Sequence, residues 1–239
     1  MKWIDFWHDI SHLIERHYLL RHPFYEDWNN GMLTPADIRE YAAEYYHQVA
    51  SFPGYLREFA STLPAGELKD AVLQNLSDEV GVEGSEDRAH NLLWLDFAVA
   101  AGVVPGDVFE RTLIPEMQEL IGTFQHFARS GEPTRALGAF YVYESQVPGI
   151  ARAKGQTLQS KYGFDEGACK YFTERTTVDA VHSSVWRDQL RKLLNEDPGA
   201  AWGALVAAEQ AALALWGALD GFEVRRTLRS PKWSGLQSN

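Results

Sequence analysis

The chain has 239 residues, 45% hydrophobic and 23% charged, with a formal net charge of −11. That composition excludes a disordered or fibrous protein, and an acidic balance without a Lys/Arg cluster argues against nucleic acid or an anionic membrane surface as partner. The single cysteine, Cys169, permits no intrachain disulfide and fits a reducing cytoplasm, and the charged N-terminus MKWIDFWHDISHLIERH lacks a signal-peptide core.

Helical periodicity runs through nearly the whole chain, and strand-like alternation is almost absent. Trp3, Phe6, Trp7, Ile10, Leu13, Ile14 and Tyr18 share one apolar face and predict a first helix over about 3–20. His22-Pro23 opens a short helical piece that ends near Asn29-Asn30-Gly31. Thr34 as N-cap, Pro35 at the first position and Asp37 in the first turn start a helix to about Leu63, with a kink expected at Pro53. Further helices are expected at about 66–80 and 86–101, with Ser85 capping the second of these. Three more follow at about 106–130, kinked at Pro115, then 133–162, bent or broken at Pro148, then 165–194. The last, over 198–221, lies in an apolar stretch interrupted by Glu209 and Gln210, which reads as a buried bundle helix rather than a membrane span. From Arg225 the chain turns polar, with Pro231 and Gly235. The expectation is one all-α domain of seven to eight helices over 1–224 and a loosely held polar tail over 225–239.

Helical bundles place chemistry on inward-facing carboxylates and histidines, so four places stand out. Asp179 and His182 are three apart on one helix and can serve one centre, although an exposed Asp–His pair has the same spacing. Glu144 sits in the aromatic run FYVYESQ, where a charge is costly to bury unless it is paired or metal-bound; a glutamate on the outer face is the plainer alternative. Asp78-Glu79 ends one helix and His90 follows after a loop, so a helix–loop–helix can turn Glu79 and His90 toward one point. Glu83 and Glu86 compete, and a packed or capping His90 is the plainer alternative. Tyr25, Tyr41, Tyr45-Tyr46 and Lys154 form an aromatic and basic set whose ordinary roles are core, rim and surface.

Taken in order, these segments resemble the CADD family. The matching pieces are His22-Pro23-Phe24-Tyr25, YAAEYY over 41–46, Phe52-Pro53-Gly54-Tyr55-Leu56, Asp78-Glu79, His90, Tyr143-Glu144-Ser145-Gln146-Val147-Pro148, Tyr171-Phe172 and Asp179-Ala180-Val181-His182. They span about residues 5–220. The resemblance places the chain among the haem-oxygenase-like di-iron oxidases, with PqqC and the TenA thiaminases as more distant relatives. It implies a haem-oxygenase-like bundle of seven to eight helices with a non-haem metal site. It also implies p-aminobenzoate formation for folate, with a tyrosine of the protein itself as ring source. By position, Tyr25 matches the sacrificed tyrosine, Tyr41 a second redox-active tyrosine and Lys154 the amino donor. The implied metal ligands are Glu79, His90, Glu144, Asp179 and His182, holding one or two ions of iron or manganese, with O2 as co-substrate. Carboxylate and imidazole ligands suit either metal.

One position departs from the family. The pattern on the late helix is H-x3-D-x2-H, and Arg175 stands at its first histidine. A guanidinium has no lone pair and stays charged, so it is no ligand. Two further readings stay open. In one, a cofactorless PqqC-like oxidase acts on a small aromatic substrate whose carboxylates Arg175 grips. In the other, the chain is a non-catalytic interaction protein with a degenerate metal site. A homodimer is compatible with the resemblance, since related bundles often dimerise.

Overall fold

Proline sets where many of these helices start. A computed structural model describes residues 3–82 and 88–229. Its helices are α1 (Trp3–Arg16), α2 (Pro23–Asn30), α3 (Pro35–Thr62), α4 (Glu67–Val80), α5 (His90–Ala100), α6 (Pro105–Phe109), α7 (Pro115–Arg129), α8 (Pro133–Glu144), α9 (Val147–Tyr162), α10 (Lys170–Glu196) and α11 (Ala201–Arg229). Short 3-10 turns at Leu19–Arg21 and Pro198–Ala200 precede α2 and α11. Five helices begin on proline, whose missing N–H costs nothing at the first position. Thr34 and Asp37 close a reciprocal capping box on α3, with Asp37 N donating to Thr34 Oγ1 at 3.2 Å and Thr34 N to Asp37 Oδ2 at 2.9 Å.

The expected kink at Pro115 is corrected, and of the bend or break expected at Pro148 the break is what occurs. Both prolines sit in the first turn of a new helix, so the expected 106–130 and 133–162 helices are each two. A proline inside a helix costs about 3 kcal/mol, whereas ending one helix before it and starting another avoids that cost. Pro53 does lie inside α3, which continues through it to Thr62. The helix expected from 86 begins at His90, and Ser85, Glu83 and Glu86 lie outside the described residues. Among the described residues there is no strand, only an isolated bridge between Gly81 and Arg88.

The fold is all-α, with α11 packed along α8, α7 and α1, α10 against α9 and α8, and α3 against α7, α4 and α5. Buried alanines at 204, 207, 208, 211, 212 and 218 give α11 a flat face. Opposite it on α8 sits Gly138, where a Cβ would lie 2.4 Å from the Ala204 carbonyl oxygen. By length and composition α11 passes as a membrane span, but half of its most apolar window is buried inside the bundle. The Trp94 indole on α5 donates to the Ala42 carbonyl of α3 at 2.8 Å, fixing those two helices where the site is built.

The expected break at 224 is also corrected, because α11 runs on to Arg229. Arg225 binds Glu40 at 2.6 Å, Arg226 binds Asp27 at 2.5 Å, and Arg229 binds Asp37 at 2.9 Å. These pairs join the end of α11 to α2 and α3. Residues 230–239 lie outside the described residues.

Candidate metal centre and tyrosine–lysine cluster

Arg175, Asp179 and His182 are four and three residues apart on α10, so their side chains share one face, and all three are buried. Across from them lie Glu79 near the end of α4 and Glu144, the last residue of α8. Glu144 is wholly buried, so the outer-face alternative does not hold. Glu79, Glu144, Asp179 and His182 each bring a ligand atom within 4.8 Å of the others. His90, the first residue of α5, stands beside this group, with its Nδ1 2.8 Å from Glu79 Oε2 and 2.9 Å from Arg175 Nη1.

The free atoms of this cluster follow a pattern. Trp186 Nε1 donates to Glu144 Oε2 at 2.5 Å and leaves Glu144 Oε1 without a partner. His182 Nε2 pairs with Asp78 Oδ2 at 3.0 Å, and His182 Nδ1 is left without one. Arg175 Nε forms an ion pair with Asp179 Oδ2 at 2.7 Å, and neither Asp179 oxygen has a hydrogen-bond partner. Glu144 and His182 are thus each held through one atom while the other is unsatisfied in a dry interior, and Asp179 is held by charge alone. Buried polar atoms are normally paired, and outer partners that orient a ring or carboxylate in this way are typical of metal ligands. The donor set fits a divalent cation of the iron or manganese type.

Electrostatics bear the same stamp. Burial pushes the Glu79 carboxyl up, but the Arg175 guanidinium and His90 outweigh it and hold it down to about 2. Glu144 is pushed up to about 8 by burial, with Asp179 adding to the rise. His182 is lowered by burial but carried to about 9 by the carboxylates of Asp179, Glu144 and Asp78 around it.

A second cluster lies next to the first. Tyr25 Oη and Tyr41 Oη are 2.8 Å apart, and the Lys154 side-chain nitrogen donates to Tyr41 Oη. Lys154 Nζ is 3.9 Å from the centre of the Tyr25 ring and 4.1 Å from that of Tyr41. All three residues are buried. The surface and rim alternatives therefore do not hold for Lys154, Tyr25 and Tyr41. Burial holds the Lys154 amine well below its ordinary value and the Tyr25 and Tyr41 phenols well above theirs. Both effects favour neutral groups.

Two phenols connect the clusters: Tyr45, already named in the aromatic set, and Tyr143, to which sequence reasoning gave no role of its own. Tyr45 stacks on Tyr41 with centroids 5.2 Å apart and hydrogen-bonds Tyr143, which directly precedes Glu144. Tyr45 was visible one turn after Tyr41, but its partner is far away in sequence. Trp186 was also missed, although it lies four residues after His182 on the same face. The cavity lined by Tyr25, Tyr41, Tyr45, Tyr143, Lys154 and Tyr171 has a volume of about 30 Å³. Cys169 is buried away from that lining, and burial pushes its thiol up to about 11.

Residues 39–217 match the family described as iron-containing redox enzymes. The chain is 32% identical over 222 residues to a 4-aminobenzoate synthase of Nitrosomonas europaea, covering 89% of this chain and 88% of the relative. It is 30% identical over 220 residues to the 4-aminobenzoate synthase of Chlamydia trachomatis serovar D, covering 92% of each. Among solved structures, a haem-oxygenase-like domain from Shewanella denitrificans superimposes with a TM-score of 0.76 at 19% identity. That match covers 95% of this chain and 94% of the other.

Proposed function

This chain belongs to the family of iron-containing redox enzymes, and on that premise we propose that it makes 4-aminobenzoate from its own Tyr25. The observation that carries this reading is a buried amine set against that ring, with Lys154 Nζ 3.9 Å from the ring centre and the Tyr25 and Tyr41 hydroxyls 2.8 Å apart. The aromatic ring beside the amine is already part of the protein.

Tyr25 supplies the ring, and Lys154, neutral in its dry pocket, presents a nitrogen lone pair to that ring. Tyr41 is the redox partner of Tyr25. Its phenol holds a proton between the Tyr25 oxygen and the Lys154 nitrogen, so an electron leaving either ring can be matched by proton movement along that row. Tyr143 and Tyr45 extend the row of phenols toward Glu144. Glu144, Asp179 and His182, with Glu79, hold the metal ion, and His90 orients Glu79. Iron bound there supplies one-electron oxidation driven by O2. Burial of the phenols keeps oxidised rings away from solvent.

The test uses full-length protein labelled with 13C in its tyrosine rings, incubated in air with ferrous iron and a reductant. Labelled 4-aminobenzoate is expected, in no more than one equivalent per chain, with a matching mass change in the peptide that carries Tyr25. Tyr25→Phe is expected to abolish the product while leaving bound iron unchanged. Unlabelled product, or labelled product with Tyr25 intact, overturns the assignment.

A further inference from the structure

The metal cluster has two halves, and a cation already occupies one of them. Arg175 Nη1 binds Glu79 Oε1, its Nε faces Asp179 Oδ2 at 2.7 Å, and Nη1 lies 2.9 Å from His90 Nδ1. Those three contacts are with two carboxylates and an imidazole, the kinds of group that would surround a metal ion. The other half holds the unpartnered atoms Glu144 Oε1, Asp179 Oδ1 and His182 Nδ1. Asp179 lies between the halves, with one oxygen turned toward each.

We infer that the Arg175 guanidinium permanently takes the place of one cation, so that the centre binds a single divalent ion at Glu144, Asp179 and His182, with Glu79 within reach. The inference rests on the metal-dependent reading above. Charge supports it. Glu79, Glu144 and Asp179 carry −3, and a guanidinium with one divalent ion carries +3, so the buried centre is neutral. Adding a second divalent ion would leave +2 in an interior that Glu79, Glu144, Asp179 and Arg175 share with almost no solvent. Sterics agree, because both Glu79 oxygens are already engaged, one by Arg175 and one by His90.

One ion held by Glu144, Asp179 and His182 would leave the centre without a second redox-active metal. The guanidinium is redox-inert and cannot dissociate, so the centre keeps its Glu79 and Asp179 contacts when the ion is absent. Metal binding should therefore be non-cooperative and complete at one equivalent.

The experiment loads the full-length protein anaerobically with excess Fe(II), or separately Mn(II), removes unbound metal and counts metal per chain by mass spectrometry. The Mn(II) form is also read by electron paramagnetic resonance. Wild type is expected to hold one ion, with the hyperfine pattern of an isolated Mn(II). Arg175→His is expected to hold two, with an exchange-coupled spectrum, and Arg175→Lys, which keeps the charge, is expected to stay at one. Asp179→Asn should lose the ion. Two ions or a coupled spectrum in wild type overturn the inference even if Arg175→His fails to fold, and leave the proposed function standing. Arg175→His folding with one ion also overturns it. No bound metal in wild type overturns the inference too; 4-aminobenzoate formation in that same sample then decides whether the metal-dependent reading falls with it.

Discussion

Lys154 sets chemistry against stability within one residue. Its amine is fully buried, surrounded by aromatic rings, and held well below its ordinary value of 10.5 by burial. The unfolded chain keeps that proton up to about 10.5 and the folded chain does not, so the unfolded state binds more protons in the window below 10.5. Stability should therefore rise as pH climbs through that window, and at neutral pH the lysine weakens the fold. Lys154→Met is expected to stabilise the protein at about pH 7 by about 1–4 kcal/mol, as when buried ionic groups give way to apolar ones of like volume. It should also flatten the rise in stability toward alkaline pH and abolish 4-aminobenzoate formation. Urea unfolding of both proteins at neutral and alkaline pH measures this. A less stable Lys154→Met protein would mean that the amine is charged and well paired. In the sequence, Lys154 had no signal beyond the family resemblance, because nothing local marks a lysine as buried.

At the level of the helix, the spacing of Arg175, Asp179 and His182 already placed three site residues on one face of α10. The order of the motifs brought Glu79 and Glu144 into the same group. The partners that orient them were not legible. Asp78 meets His182 across 104 positions, and Trp186 meets Glu144 across 42. Such contacts depend on how α4, α8 and α10 pack, and local periodicity does not encode packing. Gly138 shows what that packing demands. It lies in the middle of α8, where glycine is a poor helix former, yet its missing side chain lets the α11 backbone approach and so sets the position of Glu144 six residues later. Gly138→Ala adds helix propensity but drives a methyl into the Ala204 carbonyl. The clash is expected to win, with a net loss of about 1–3 kcal/mol in unfolding free energy and weaker metal retention. Thermal unfolding and metal analysis check both. A stabilised variant would show that α8 and α11 can separate without cost.

Over the whole molecule, the end of α11 acts as a clamp on the two helices that carry the reactive tyrosines. Phe222 packs on Phe24 and Tyr41, with centroids 5.6 and 5.1 Å away. Beyond it, Arg225, Arg226 and Arg229 reach Glu40, Asp27 and Asp37 on α3 and α2. The sequence from Arg225 reads as a polar tail because its charges look solvated; their partners lie 185 to 199 positions earlier, on carboxylates of which Asp37 and Glu40 are buried. Burial pushes the Asp37 carboxyl up, but its bonds to Thr34, and then to Arg229, carry it below its usual value of 3.8. A carboxyl lowered on folding adds stability above 3.8 that is lost as pH falls further. The arginines are half exposed, so each pair is worth only about 0.2–1 kcal/mol and is screened by salt. Arg225→Ala with Arg229→Ala should therefore cost little stability, about 1–2 kcal/mol together, most of it at low salt and above pH 3.8. Their effect on chemistry should be larger, since α2 holds Tyr25 against Tyr41 across 2.8 Å and the arginines contact none of the metal-ligand candidates. The double variant is expected to bind metal as the wild type does and to yield several-fold less 4-aminobenzoate per chain, with partial recovery in Arg225→Lys and Arg229→Lys. Equal product at low and high salt from the wild type and the double variant would show that α2 and α3 hold the tyrosine pair without help from α11.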